Sequence, residues 1–203
     1  MPGLPKLTFG DYTSGVLPAT IRRRVLHEHE AAHAVVARVG EAAIRVVTLE
    51  STPYGADTSL GSVSWTPRDN DVATLVAGVV AGPAQTRLCL RRMGVDLGRM
   101  DQEVRTEAIP LADAIGPVGG VEALQAAEYL IRRNFERVVD YLCLFEVQKA
   151  VRTVADEFEA CEARGLLVIP WTQLEGVVDW RALPTLPSID AVVPSPTSPR
   201  GPS

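Results

Sequence analysis

The sequence contains few cysteines, few histidines and no long apolar run. Its three cysteines, Cys89, Cys143 and Cys161, are odd in number and far apart. Neither a disulfide framework nor a Cys-x-x-Cys metal knuckle is therefore expected. Reduced, partly buried thiols are typical of a cytosolic protein, which is the localisation we expect.

An excess of positive charge is also absent. The chain has 20 Lys and Arg against 25 Asp and Glu, a net charge of −5, so a nucleic-acid partner is not expected. The most apolar run, 72–81, is far shorter than the ~20 residues that a membrane span needs, and it predicts a buried helix instead. Residues 1–15 contain two prolines and no apolar h-region, so we expect no secretory signal.

The composition is that of an ordinary globular protein. With 203 residues, 46% hydrophobic and 22% charged, the chain can form one domain with a core and a tail. We predict an irregular arm over 1–19, one domain over 20–180, and a disordered tail over 181–203. Six of the fifteen prolines lie in that last segment, which cannot bury enough apolar surface to offset its ordering entropy.

Hydrophobic periodicity predicts a mostly helical α+β fold. The first helix is expected to begin at Thr20, as N-cap, and to stop at Gly40. Strands at 43–51 and 59–67 form a hairpin or adjacent strands of a small sheet packed on this helix. Further helices are predicted from a cap at Asn70-Asp71 to about Met93, from Asp101 to about Ala114, and, as one or two helices, over 121–163.

The segment that carries chemistry is His29-Glu30-Ala31-Ala32-His33. Residues four apart lie on one face of an α-helix, so both imidazoles can reach one metal ion at about 2.0–2.1 Å. Glu30 is rotated by about 100° from His29 and can contact a water held by the metal. Zinc lowers the pKa of such a water to about 7, and a neighbouring carboxylate can then act as general base.

Two observations bear on this interpretation. The motif is short, and the alternative is a helix with polar residues on its exposed face. Two of the three histidines of the chain occupy the motif, however, and small residues surround them, which lets other elements approach closely. The third histidine, His27, faces elsewhere on the helix and is interpreted as a surface or supporting residue.

A catalytic zinc site usually has three protein ligands and one water. The chain has no fourth histidine and its cysteines are poorly placed, so a carboxylate is the natural candidate for the third ligand.

The order of these features resembles the proteolytic domain of the FtsH-type ATP-dependent zinc metalloproteases. That family has a His-Glu-Ala-Gly-His-Ala helix, a strand pair, an Ala-Gly-Gly-x-Ala-Ala-Glu helix and a Gly-Ala-x-x-Asp-Leu segment. The counterparts here are HEAAHAVVARV (29–39), IRVVTLES with SLGSVSW (44–65), LVAGVVAGPAQTRL (75–88) and GRMDQEVRTEA (98–108). The resemblance covers about residues 20–179 and implies a zincin-like active-site helix with a C-terminal helical bundle.

The resemblance implies specific roles. His29 and His33 are zinc ligands, Glu30 is the base and Asp101 is the third ligand. Asp101 could instead be a helix N-cap, and the alternatives as ligand are Asp96, Glu103 and Glu107.

An edge strand in such enzymes pairs with extended substrate. The corresponding substrate-binding residues here are Leu60, Gly61, Ser62 and Val63, whose alternative role is that of an ordinary sheet strand.

The sequence carries neither the ATPase module nor the transmembrane anchor of that family. The resemblance therefore implies a peptidase for unfolded polypeptides, assisted by a separate ATPase or unfoldase when the substrate is folded. It also implies a homo-oligomer, although no sequence feature requires one. The competing hypothesis is an inactive zinc-binding module used for protein binding or regulation.

Overall fold

The computed structural model describes residues 6–7, 17–49, 61–97, 101–115 and 121–192, and nine side chains within these ranges lie outside the description. Within this part there are five α-helices, which are α1 (Ala19–Val39), α2 (Val72–Arg92), α3 (Asp101–Ile115), α4 (Val121–Leu142) and α5 (Phe145–Ala163). The strands are β1 (Lys6–Leu7), β2 (Ala43–Thr48), β3 (Ser62–Thr66), β4 (Asp96–Leu97) and β5 (Val168–Pro170). The mostly helical α+β class predicted from the sequence is confirmed.

Helix α1 begins one residue before the predicted start. Its N-cap is Pro18 rather than Thr20, and no side chain caps it. The carbonyl of Pro18 accepts the backbone N–H of Arg22 at 3.0 Å, so the first turn closes on the proline. The helix ends at Gly40 as predicted, but the φ of Gly40 is −77°. Glycine is needed there for close packing, because a Cβ atom would lie 2.5 Å from Thr74 Cγ2.

Helix α2 confirms the prediction of a buried, Asp71-capped helix. The Asp71 carboxylate accepts the backbone N–H of Ala73 at 2.9 Å and the hydroxyl of Thr74 at 2.7 Å, which satisfies the first turn. By length and composition α2 could cross a membrane, but 72% of its most apolar window is buried inside the protein. The core helix of a globular domain has the same properties.

The main sheet is small and places β3 at an edge. Its order is β3-β2-β5 and both pairings are antiparallel. Along β3 the side chains alternate between exposed and half-buried, as expected for a strand with one face on the core. In addition, β1 and β4 form a parallel pair, so the N-terminal arm, predicted to be irregular, contains a short strand.

Helix α1 lies at the centre of the fold. It packs against α2 and α5, while α4 packs against α2 and α3. The segment 121–163 is two helices, separated by a turn at Cys143 and Leu144. The buried side chains of all five helices join those of β2 and β5 in one core.

The segment 183–190 differs from the sequence prediction, which assigned it to a disordered tail. Leu183, Leu186 and Ile189 pack against the core. Asn134 on α4 is fully buried; its amide donates to the carbonyl of Asp190 at 2.8 Å and accepts the backbone N–H of that residue at 2.8 Å. Every third residue of this segment is apolar and its backbone is hydrogen-bonded, so its high proline content does not prevent docking.

We expect Asn134→Leu to lower the free energy of unfolding by about 1–3 kcal/mol, because a buried amide loses its hydrogen bonds and leaves their partners unsatisfied. Urea denaturation followed by circular dichroism measures this change. Asp140→Ala, on the exposed face of the same helix, is the control and should have little effect. Equal stability of the two variants would contradict the docking of segment 183–190.

Candidate metal centre

His29 and His33 lie one turn apart on α1 and point to the same place. Their Nε2 atoms are 3.0 Å apart and their ring centroids are 4.7 Å apart, with the planes at 74°. His33 is buried and His29 is half-buried. The two nitrogens of the predicted motif therefore converge, as the four-residue spacing requires.

Helix α2 orients both imidazoles from the opposite side. His33 Nδ1 is 2.7 Å from the carbonyl oxygen of Gly78, and His29 Nδ1 is 2.9 Å from the hydroxyl oxygen of Thr86. A carbonyl only accepts hydrogen bonds, so the Nδ1 of His33 carries the proton and its Nε2 carries a lone pair. This is the tautomer that binds a metal through Nε2.

Glu107 on α3 supplies a carboxylate to the same place. Its Oε1 atom is 3.5 Å from His29 Nε2 and 4.0 Å from His33 Nε2. Together with the separation of 3.0 Å between the two nitrogens, these distances define a triangle whose centre is about 2.1 Å from each atom, the length of a zinc–nitrogen or zinc–oxygen bond. The three residues form a group that could hold a metal ion, and their donor atoms fit it.

Gly82 keeps the space beside these atoms open. A Cβ atom built on Gly82 would lie 2.2 Å from His33 Nε2 and 2.4 Å from His29 Nε2. Any side chain there would occupy the space between the two nitrogens. Gly78, Gly82 and Thr86 are spaced by four residues and so share one face of α2. No role was predicted for these three residues, although their spacing is visible in the sequence.

Glu30 is buried in the same site. Its Oε2 atom is buried and has no hydrogen-bond partner within the described part of the chain. Burial raises the pKa of Glu30 to about 7, and the charge of Glu107 adds to this effect while that of His29 opposes it. A Cβ atom on Gly61 would lie 2.6 Å from Glu30 Oε1, so the glycine that immediately precedes β3 makes room for this carboxylate.

Two of the ligand candidates, the buried His33 and the half-buried Glu107, have shifted pKa values. Burial and, to a smaller extent, the charge of His29 lower the pKa of His33 to about 4, although Glu107 and the carbonyl of Gly78 act in the opposite direction. Burial acts to raise the pKa of Glu107, but its interactions with His29 and His33 outweigh burial and lower it. Around neutral pH the site therefore presents a neutral His33 and an ionised Glu107, which are the forms that bind metal.

A cavity of about 590 Å³ opens beside these groups. Its wall includes Gly61, Ser62 and Val63, three of the four residues predicted to bind substrate, while Leu60 lies outside the described residues. In the described sheet β3 pairs with β2 on one side only, so the predicted strand lies at the edge of the sheet. It also lies next to Glu30, which Gly61 approaches closely.

Four carboxylates were predicted as candidates for the third ligand, and the structure describes the side chain of one of them. Asp101 begins α3, but its side chain and those of Asp96 and Glu103 lie outside the described residues, so their roles stay predictions. Glu107, one of the alternatives, is the carboxylate that lies beside both imidazoles. The sequence does not distinguish Glu107 as the ligand, because three other acidic residues precede it within twelve positions.

Of the two interpretations of His27, as a surface residue or a supporting residue, the first is wrong. Its side chain is 1% exposed, and its Nε2 atom is 2.9 Å from a carboxylate oxygen of Glu162 on α5. Helix α1 is buried on the side facing α5 as well as on the side facing α2, so no part of this turn faces solvent completely. His27 remains separate from the metal centre, as expected.

Comparison with known proteins gives no relative. No family model matches this chain, and neither a curated protein nor a solved structure does so.

We expect Gly82→Ala to weaken metal binding by about a hundredfold or more, because the added methyl group would displace the imidazoles themselves, whereas changes to groups that only support metal ligands cost 10–100-fold. The helix should persist, since alanine is the better helix former. Competition for Zn²⁺ with a chromophoric chelator measures the affinity. Gly176→Ala is the control, because nothing lies within 4 Å of a Cβ atom there. Unchanged affinity in Gly82→Ala would contradict the site.

A second comparison identifies the third ligand. Glu107→Gln should weaken zinc binding by about tenfold or more, because it removes a charged oxygen donor. Asp101→Asn should leave the zinc affinity unchanged. The same chelator competition measures both variants, and the reverse result would assign the ligand to Asp101.

Proposed function

We propose that this protein is a zinc-dependent metallopeptidase that hydrolyses peptide bonds of unfolded or extended polypeptides. The observation that carries the proposal is the convergence of His29 Nε2, His33 Nε2 and Glu107 Oε1. A buried carboxylate, Glu30, lies in the same cavity. These are the parts that metal-assisted hydrolysis requires.

The donor set together with the neighbouring Glu30 favours zinc, although the same three ligand types also hold non-haem iron. Two imidazoles and one carboxylate form a His₂Glu set, which holds catalytic zinc in known metallopeptidases and leaves one position open. A zinc ion held there would polarise a substrate carbonyl and lower the pKa of a bound water. The resemblance of the His29–His33 motif to that of the FtsH-type proteases supports the same metal and the same class of reaction.

Glu30 is the proposed general base. It is adjacent in sequence to His29, lies in the cavity wall, and has one buried oxygen without a partner in the described region. That oxygen can accept a proton from the attacking water as the peptide carbon becomes tetrahedral. The same carboxyl group can then donate the proton to the leaving amine nitrogen, so that the C–N bond breaks without releasing an amide anion.

The position of β3 supports an extended substrate. An added strand could pair with the side of β3 opposite β2, and Gly61 and Ser62 would place it beside Glu30. A segment must be extended and free of other pairing to enter an edge pairing of this kind. For folded substrates a separate ATPase or unfoldase is the partner that the resemblance implies.

The decisive variant is Glu30→Gln, which keeps the shape of the side chain but removes its ability to take a proton. We expect the hydrolysis of an unfolded, dye-quenched polypeptide to fall by about 10²–10⁴-fold, while the zinc content remains one per chain. Fluorescence release and atomic absorption measure the two quantities.

The control is Glu146→Gln, in the exposed first turn of α5, which should keep full activity. If the unaltered protein binds zinc but cleaves nothing, the alternative of a zinc-bound interaction module replaces the peptidase.

A further inference from the structure

A polar network with buried Glu28 and Gln85 at its centre joins α1, α2 and α5 beside the candidate metal centre. Gln85 is fully buried, and its Nε2 atom donates to Glu28 Oε2 at 2.7 Å. Gln148 on α5 donates to Gln85 Oε1 at 2.7 Å. The guanidinium of Arg92 bonds both Glu28 and Gln148, and Arg24 donates to Glu28 Oε1 at 3.1 Å. We call these five side chains the Glu28 network.

The network is adjacent in sequence to the metal centre on both helices. Glu28 precedes His29 on α1, and Gln85 precedes Thr86 on α2. The hydrogen bonds Glu28–Gln85 and His29–Thr86 therefore join two consecutive residues of one helix to two consecutive residues of the other. Consecutive side chains diverge by about 100° around a helix axis. Two such contacts fix both the rotation of each helix and its position along its axis, which one contact alone cannot do.

Many of the buried side chains on α1 and α2 are small. They are Ala31, Ala32, Ala34 and Ala37 on α1, and Ala77, Gly78, Ala81, Gly82 and Ala84 on α2. Small side chains let helices approach closely, but they form shallow ridges and grooves. A buried polar contact specifies the register of helices whose apolar packing leaves it open.

The Glu28 network is not expected to add much to the stability of the fold. Burying a carboxylate costs desolvation energy that its partners repay only in part, and apolar replacements of buried ion pairs are often neutral or stabilising. The metal centre, by contrast, depends on register directly. Gly82 must face the two Nε2 atoms, because any other residue of α2 at that position would place a Cβ atom between them.

We propose that Glu28 and Gln85 are positioning residues, which set the register of α2 against α1 and so hold Thr86 on His29 and Gly82 opposite the Nε2 pair. This inference rests on the proposed metal-dependent function. Neither residue contacts the reacting atoms. Their effect is transmitted by the backbones of the two helices to the imidazoles.

The test exchanges the two side chains. Glu28→Gln removes the charge, Gln85→Glu places two carboxylates together, and the double variant restores one amide facing one carboxylate. Co²⁺ is the probe, because it binds the same nitrogen and oxygen ligands as Zn²⁺. Unlike Zn²⁺, it absorbs visible light, so its spectrum reports the geometry of the site. We expect each single variant to bind Co²⁺ at least about tenfold more weakly than the unaltered protein does. The absorption spectrum of the bound Co²⁺ should also change. The double variant should recover most of the affinity and the spectrum of the unaltered protein.

Asn134→Leu is the matched control, because it also removes a fully buried amide but on α4, outside the Glu28 network. Its Co²⁺ affinity and spectrum should not change. Urea denaturation of each metal-free variant shows whether weaker binding merely follows lower stability.

The outcomes separate the two proposals. If the unaltered protein binds no Co²⁺, the metal-dependent function fails and the positioning role fails with it. If the unaltered protein binds Co²⁺ and the single variants match it or match Asn134→Leu, only the positioning role is overturned. A double variant that binds no better than the weaker single variant overturns it as well. Should Gln85→Glu fail to fold, Glu28→Gln and the double variant still give the comparison.

Discussion

The close approach of α1 and α2 is the constraint on which the site depends. Helix α1 supplies two imidazoles, and α2 supplies the carbonyl and the hydroxyl that orient them. This arrangement requires Gly82 to have no side chain where the two Nε2 atoms meet. A metal ion fits between histidines on one helix only if the neighbouring helix leaves room for it, and in this protein that room comes from a glycine inside a helix.

Glycine in the middle of a helix costs about 1 kcal/mol relative to alanine. Gly78 and Gly82 both lie inside α2, and a Cβ atom on either would meet another side chain at 2.5 Å or less, Trp65 in the first case and the histidines in the second. The helix thus accepts a lower intrinsic propensity in exchange for close contacts with β3 and α1. This pattern is expected where a functional site conflicts with local stability.

Three glutamates near the centre have distinct surroundings. Glu28 is surrounded by arginine and amide groups, Glu107 faces two imidazoles, and Glu30 has a buried oxygen without a partner in the described part. The pKa is lowered for Glu28 and Glu107 and raised for Glu30. Groups of the same chemistry whose pKa values are pushed apart are suited to different tasks, such as fixing structure, binding a cation and carrying a proton.

The sequence alone determined the features that depend on local periodicity. The spacing of His29 and His33 placed both on one helix face, Asp71 marked the start of α2, and alternation predicted the strand that became β3, because each of these follows from backbone geometry over a few residues. The docking of segment 183–190 on Asn134 was not predicted, since composition reports the average cost of ordering a segment and not the contacts that it finds.

Tertiary structure alone decided which groups surround the candidate metal centre. It brought Glu107 beside both imidazoles, it placed Gly82 and Thr86 next to them, and it put His27 against α5 rather than in solvent. These choices depend on how helices separated by many residues cross in space, and their crossing is set by the packing of the whole core rather than by any local pattern.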